Sequence, residues 1–113
     1  IKELIMLNQF EWHDLPLEVI SIDQFGVSVI VTPYDNENQK YRRFQLQLFN
    51  YECLSLSLGG EITFGALKEL EISDFTYSVE EGLLSGEIGI LPSNEGGWSI
   101  KFKKAKWQLV EYT

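Results

Sequence analysis

Alternation of apolar and polar residues is the feature that most constrains the fold of this chain. Every second residue of Phe44–Leu48 is apolar, and leucines alternate with serines in Leu54–Leu58. Successive side chains of a β-strand point to opposite faces, so a period of two indicates strands that are buried on one side only. The same period recurs through most of the chain. It predicts a small soluble all-β domain.

Length and composition narrow the class of protein further. A chain of 113 residues fits one β domain over residues 1–113. Its hydrophobic content of 44% is too high for a disordered chain, and no apolar run approaches the roughly 20 residues that a membrane helix needs. The single cysteine forbids an internal disulfide and favours a reducing compartment, so we expect a cytoplasmic protein. Ile1–Leu7 does not resemble a signal peptide, although a removed leader stays an alternative because the chain does not begin with Met.

Turn residues divide the alternating segments into about eight strands. Gly26 is expected to close a first hairpin, and the polar run Asp35–Gln39 to form a solvated loop. Gly59-Gly60 predicts a hairpin that leads into a short strand over Glu61–Phe64, and Glu80–Gly82 predicts a further turn. Antiparallel strands at these spacings favour a sandwich or a small open barrel.

At most one short helix is expected, near the N-terminus, where the apolar spacing of Ile1–Gln9 fits either a helix or an edge strand. Two later strands change phase. The apolar residues of Leu70–Val79 move from even to odd positions across Ser73-Asp74, and those of Trp98–Tyr112 do so across Lys103-Lys104. Each change implies an inserted residue, most simply a β-bulge. The last strand is therefore predicted to bend and to serve two sheets or two sides of a barrel.

Candidate catalytic residues are few. His13, the only histidine, precedes Asp14, but no Gly-x-Ser-x-Gly motif accompanies them. Adjacent residues of an extended segment point in opposite directions, so Asp14 is expected to orient the imidazole poorly. A structural role is predicted instead, in which Trp12 packs on the sheet and His13 or Asp14 bonds the backbone. We expect no enzyme, no catalytic residue and no cofactor.

Metal ligands are equally sparse. One histidine and one cysteine cannot complete a tetrahedral zinc site. Asp35–Asn38 contains oxygen ligands but lacks the glycine and the glutamate of a calcium loop. No metal site is therefore expected. Cys53, at the start of an alternating strand, is expected to be a small buried hydrophobic residue and not a reactive thiol.

Lysines and aromatic residues alternate in the last strand. The lysines of Lys101–Lys106 lie between Trp98 and Trp107, with Phe102 among them. Single-stranded nucleic-acid platforms need cations and aromatic rings on the same face, whereas alternation places them on opposite faces. The pattern predicts Phe102 and Trp107 in the core on either side of the bulge, with a solvated lysine face. Nucleic acid is not expected as a partner.

Negative charge is concentrated in the middle of the chain. The formal net charge is -8, and residues 44–100 contain nine acidic residues against one basic residue. The excess indicates either solubility alone or a face that attracts a basic protein partner. Glu69 and Glu71, on one face of a predicted strand, and Glu87, on a neighbouring strand, are the candidate partner-binding residues. Paired carboxylates could also serve a glycosidase, but 113 residues are few for such a cleft.

Three stretches together resemble a group of small bacterial all-β proteins with an N-terminal Trp/Phe-His-Asp element. They are Trp12-His13-Asp14, the acidic segment LKELEISDFTYSVEEG at 67–82 and the closing segment GGWSIKFKKAKWQL at 96–109. Some members of that group are assigned as immunity proteins of polymorphic-toxin systems. The resemblance implies a non-enzymatic protein that binds one protein partner.

A small-ligand carrier with a cavity between the sheets is the alternative function. Seven Phe, five Tyr and three Trp residues could line such a cavity, although aromatic cores usually fill their own space. A filled core with an acidic face would favour the binding module, and a cavity of several hundred Å³ would favour the carrier. The sequence leaves the oligomeric state open.

Overall fold

The computed structural model describes residues 3–4, 6–59, 64–91 and 97–112, and in these ranges the chain is built from antiparallel strands. A single 3-10 turn, Leu7–Gln9, and one helical turn, α1 (Phe64–Leu67), interrupt them. The strands are β1 (Glu3–Leu4), β2 (Leu15–Asp23), β3 (Gly26–Val31), β4 (Tyr34–Asp35), β5 (Lys40–Tyr41), β6 (Arg43–Phe49), β7 (Cys53–Leu58), β8 (Glu71–Glu80), β9 (Leu83–Leu91) and β10 (Trp98–Tyr112).

Eight of the described strands form one continuous sheet that closes on itself, and β4 and β5 form a small hairpin apart from it. The closed path runs β10–β6–β3–β2–β8–β9 and returns to β10, with every pairing antiparallel. The path is flattened into two layers, since the shortest extent of the molecule is 23 Å. We call β1, β6, β3, most of β2 and the C-terminal half of β10 sheet I. Sheet II consists of β8, β9, β7, the N-terminal half of β10 and the start of β2.

Two strands connect the layers. Residues 98–103 of β10 lie between β7 and β9, whereas its residues 106–112 pair with β6. The register against β9 shifts between Phe102 and Ala105, and Lys104 has a φ of 50°. In β2, Leu15 and Pro16 pair with β8 before the strand joins β3, and its register shifts between Leu17 and Val19. These irregularities let one strand belong to both sheets.

The core between the sheets is mostly aliphatic. One face of each strand supplies it, which gives β3 and β6 the strict alternation of buried and partly buried residues expected from their sequence. Trp12, Phe75 and Phe102 add aromatic rings, and the Trp12 and Phe75 rings meet edge to face with centroids 5.0 Å apart. The largest fully buried side chains are Phe44, Leu46, Leu48, Ile72, Leu84, Ile88, Ile90, Ile100, Leu109, Val29 and Val31.

The fold class predicted from the sequence is confirmed. The structure is mostly antiparallel β, both bulges occur where the apolar phase changes, and β10 serves two sheets. At the N-terminus both predicted alternatives occur in minimal form, as the two-residue β1 and the 3-10 turn. The β8–β9 turn uses Glu81 and Gly82, both with positive φ, as a tight hairpin requires.

Three local predictions differ from the structure, and the first of them falls partly on residues outside the described ranges. Phe64, expected to end a strand, begins helical turn α1, while Gly60 and residues 61–63 lie outside the described part of the chain. The leucines of β7 alternate as strands do, but Leu56 and Leu58 are exposed because β7 is an edge strand. Trp107 is only partly buried against the core, whereas Phe102 is 3% exposed.

Candidate protein-binding face

The solvent side of sheet II is a continuous surface of mostly polar side chains. Alternate residues of β8, β9, β10 and β7 point to it, opposite the buried residues Phe75, Ile88 and Ile100. Small polar side chains dominate: Ser55, Ser57, Thr76, Ser78, Ser85 and Ser99. We call this surface the outer face. Short side chains leave its backbone plane accessible to another macromolecule.

Charge on the outer face is graded from one strand to the next. β8 presents Asp74 and Glu80, preceded by Glu71 at the start of the strand. In β9 the charged residue is Glu87, opposite Thr76 on one side and Lys101 on the other. Lys101 and Lys103 follow on β10. Negative charge therefore lies along β8 and β9 and positive charge along β10, an arrangement that can orient a partner as well as attract it.

A shallow groove of about 490 Å³ crosses the centre of this face. Glu87 and Thr76 form one wall, and Lys101 and Lys103 form the other together with β7. Its remaining lining residues are Cys53, Ser55, Gly86 and Phe102. The groove lies outside the sheets and not between them, so it is a surface feature and not the internal cavity of a carrier.

The three predicted binding residues do not form one cluster. Glu87 lies at the centre of the outer face. Glu71 begins β8 opposite Leu91, four residues along β9 from Glu87, which corresponds to about 13 Å. Glu69 is not on a strand, because it lies in the turn between α1 and β8. It lines a second shallow groove of about 400 Å³ with Glu71 and Glu18.

Cys53 is exposed, which corrects the expectation of a buried hydrophobic residue. It begins edge strand β7 opposite Lys103 and lines the central groove. Alternation alone assigns the residue to one face of a strand, and the face that contains Cys53 is the solvated one. The same register places Ser55 and Ser57 beside it.

The Trp12-His13-Asp14 segment has the structural role predicted for it, by a different geometry. Trp12 is buried, and its indole Nε1 donates to the Leu7 carbonyl at 2.8 Å. His13 Nδ1 lies 2.5 Å from the carbonyl of Ser73, in the bulge of β8. The expectation that Asp14 would point away is wrong: Asp14 has a φ of 57°, and its carboxylate lies 3.3 Å from His13 Nε2. A turn, and not an extended segment, brings the two together.

A second polar group joins the start of β6 to the end of β10. Arg42 Nε and Nη2 donate to Glu111 Oε2 and Oε1 at 2.6 and 2.5 Å. The hydrogen bond to Arg42 holds the pKa of Glu111 below its usual value, and the same bond raises the pKa of Arg42.

Nearby, the hydrogen bond from the Asn38 amide lowers the pKa of Asp35, whose carboxylate also accepts the backbone N–H groups of Glu37 and Asn38. These groups stabilise corners of the fold and the Asp35–Gln39 loop.

Sequence reasoning missed the lysines that border Glu87 on the outer face. It assigned Lys101 and Lys103 to a solvated row of β10, which is correct, but it did not place that row beside the acidic row of β9. The signal was the pairing of β9 and β10 on either side of residues 92–97, of which the structure describes only Gly97.

Comparison with known proteins gives no relative for this chain. No protein-family model matches the sequence, and neither a curated protein nor a solved structure does so. Within the described ranges, no three His, Cys, Asp or Glu side chains come together as a metal site. None of the helices described is long and apolar enough to cross a membrane.

Proposed function

We propose that the protein is a non-enzymatic binding module that recognises another protein through the outer face of sheet II. The observation that supports this proposal is the graded charge of that face, with Glu71, Asp74, Glu80 and Glu87 on β8 and β9 beside the lysines of β10. The partner should present basic side chains to the acidic strands. Small serine and threonine side chains between the charges allow close approach.

Rigid presentation also supports a binding role. Glu87 lies in the middle of β9, which pairs with β8 on one side and with β10 on the other. Its backbone is therefore fixed from both sides, and little conformational entropy would be lost on binding. The groove of about 490 Å³ lies on the solvent side of sheet II, so it does not support the carrier alternative, which needs a cavity between the sheets. An immunity-type role, with a basic toxin as the partner in the cytoplasm, is the form of the proposal that the sequence resemblance favours.

The proposal is tested by mapping where a basic probe contacts the protein. ¹⁵N-labelled protein is titrated with hexalysine at about 20 mM and about 200 mM salt, because the screening length falls from about 20 Å to less than 10 Å over this range. We expect amide shifts at Thr76, Glu87 and their strand neighbours at low salt, and their loss at high salt. Shifts confined to the Asp35–Gln39 loop, which is also acidic, would overturn the assignment of the outer face.

A further inference from the structure

Among the described residues, strand β7 has an open edge that lacks the features that usually protect such edges. It pairs with β10 on one side, and no strand of the described chain pairs with its other side. Its six residues, CLSLSL, include no charge, proline, glycine or bulge. Natural edge strands are commonly protected by one of these devices. The open edge of β8, by contrast, contains Asp74, Glu80 and a bulge after Ile72.

The sequence of this edge is self-complementary. Leu54–Leu58 reads Leu-Ser-Leu-Ser-Leu in both directions. Two copies paired antiparallel about a two-fold axis at Leu56 would place Leu56 opposite itself, each Ser55 opposite Ser57, and each Leu54 opposite Leu58. An axis perpendicular to the sheet keeps all the leucines on one side and all the serines on the other. A two-fold interface requires this kind of complementarity of a surface with itself.

Exposure of the leucines gives the pairing a driving force. Leu54 packs partly against the core, but Leu56 is 45% exposed and Leu58 is 67% exposed. In the antiparallel arrangement the most exposed leucine of each copy meets the partly buried Leu54 of the other. Cross-strand apolar contacts and new backbone hydrogen bonds would then cover the edge.

We propose that the chain forms a two-fold dimer in which the β7 edges of two copies pair antiparallel and extend sheet II across both. A second copy is favoured over a different protein because the edge lacks charges that would select another partner, whereas its symmetric sequence complements itself. The surface area that two six-residue edges can bury is smaller than the roughly 1,200 to 2,000 Å² buried in stable complexes, so the dimer should dissociate on dilution. This proposal is independent of recognition by the outer face.

The native cysteine allows the pairing to be measured without any substitution. Cys53 is exposed and is the only cysteine of the chain, three residues from the proposed axis. Antiparallel pairing at Leu56 separates the two Cys53 backbones by six residues, or about 20 Å. Spin labels on Cys53 should give a double electron–electron resonance distance centred near that value. Absence of a defined distance at concentrations up to about 1 mM, where weak dimers are populated, would overturn the proposal, as would a clearly different separation.

A substitution with a matched control provides the second test. Leu56→Lys would place two like charges opposite each other at the axis, and Val79→Lys adds the same charge on the open edge of β8 at a position that is 49% exposed. Sedimentation velocity from about 10 µM to about 1 mM should show about tenfold weaker or no dimerisation for Leu56→Lys, and wild-type behaviour for Val79→Lys. Equal dimerisation of both variants, or equal loss, would contradict pairing through β7. Should Leu56→Lys fail to fold, the spin-label distance on the native chain still shows whether two copies pair through β7.

Discussion

The guanidinium of Arg42 and the carboxylate of Glu111 form two parallel hydrogen bonds that join positions 69 residues apart in the sequence. Arg42 also lies over the ring of Phe44, 5.1 Å from its centroid, so its planar group is held between a carboxylate and an aromatic face. Glu111 lies near the end of β10, opposite Phe44 of β6. The pair therefore fixes the last strand against the strand that follows the β4–β5 hairpin.

Glu111→Gln should destabilise the fold above pH 5 and have little effect in strong acid. The folded pKa of Glu111 is depressed by Arg42, so its contribution is fully present above the unfolded pKa of about 4.3 and is lost as the pH falls through the lower folded pKa. Because the Arg42 side chain is 38% exposed, we expect only about 1 kcal/mol near neutral pH. Urea unfolding at several pH values measures this difference in the free energy of unfolding between the wild type and Glu111→Gln. Glu18→Gln, which removes the more exposed pair with Arg43, is the control and should cost less.

Phe102→Ala should lower the free energy of unfolding by about 3–5 kcal/mol, because Phe102 is almost completely buried and its ring lies near that of Phe75. Lys101→Ala, one position earlier on the solvated side of β10, should cost little. Trp107→Ala should fall below Phe102→Ala, since Trp107 is only partly buried. Chemical denaturation gives the loss in the free energy of unfolding for each of the three variants. An equal loss for Phe102→Ala and Lys101→Ala would contradict the assigned strand phase.

Gly86→Ala should destabilise the protein by about 1–3 kcal/mol or more, because its Cβ would lie 2.3 Å from the Thr76 carbonyl oxygen and 2.9 Å from the Tyr77 Cα. Backbone atoms of the paired strand cannot move aside without disturbing the β8–β9 ladder. Gly97→Ala is the matched control, since a Cβ at Gly97 would meet nothing within 4 Å. Thermal unfolding compares the two, and similar midpoints would show that β8 and β9 do not approach this closely at Gly86.

Cys53 should react completely with a thiol reagent such as dithionitrobenzoate under native conditions. Its exposure on β7 allows the reagent to reach the sulfur without unfolding. One thiol per chain should be modified in a single phase, at the same extent with and without denaturant. Modification that requires denaturant would restore the buried assignment that alternation first indicated.

The parts of the fold that the sequence determines locally were predictable. Phase changes at Ser73-Asp74 and Lys103-Lys104 located both bulges, because a one-residue shift reverses which side chains face the core. The β2–β3 hairpin and the strict alternation of β3 and β6 followed from the same period of two. These features depend on neighbouring residues and not on how the sheets close.

Features that depend on the position of a strand within the sheet were not predictable. Leu56 and Leu58 alternate as clearly as Leu46 and Leu48, yet the β7 leucines are exposed because no strand lies beyond them in the described chain. Alternation reports which residues share a face and not whether that face is covered. Alternation also does not show where a strand begins, so Glu69 was assigned to a strand that begins only at Glu71. Nor does alternation show which strands are neighbours, so Glu87 could not be placed beside Lys101.

The affinity for a basic probe in matched charge variants tests the central claim most directly. Glu71→Lys/Glu87→Lys reverses two charges on the outer face, and Glu11→Lys/Glu37→Lys reverses two exposed charges elsewhere, so both variants change the net charge equally. Fluorescence anisotropy with labelled hexalysine at about 20 mM salt, where screening is weak, gives the dissociation constants. We expect the outer-face variant to bind about tenfold more weakly than the wild type, and the control to remain within about twofold. Equal weakening in both variants would show that net charge alone governs the interaction, and would contradict recognition through the outer face.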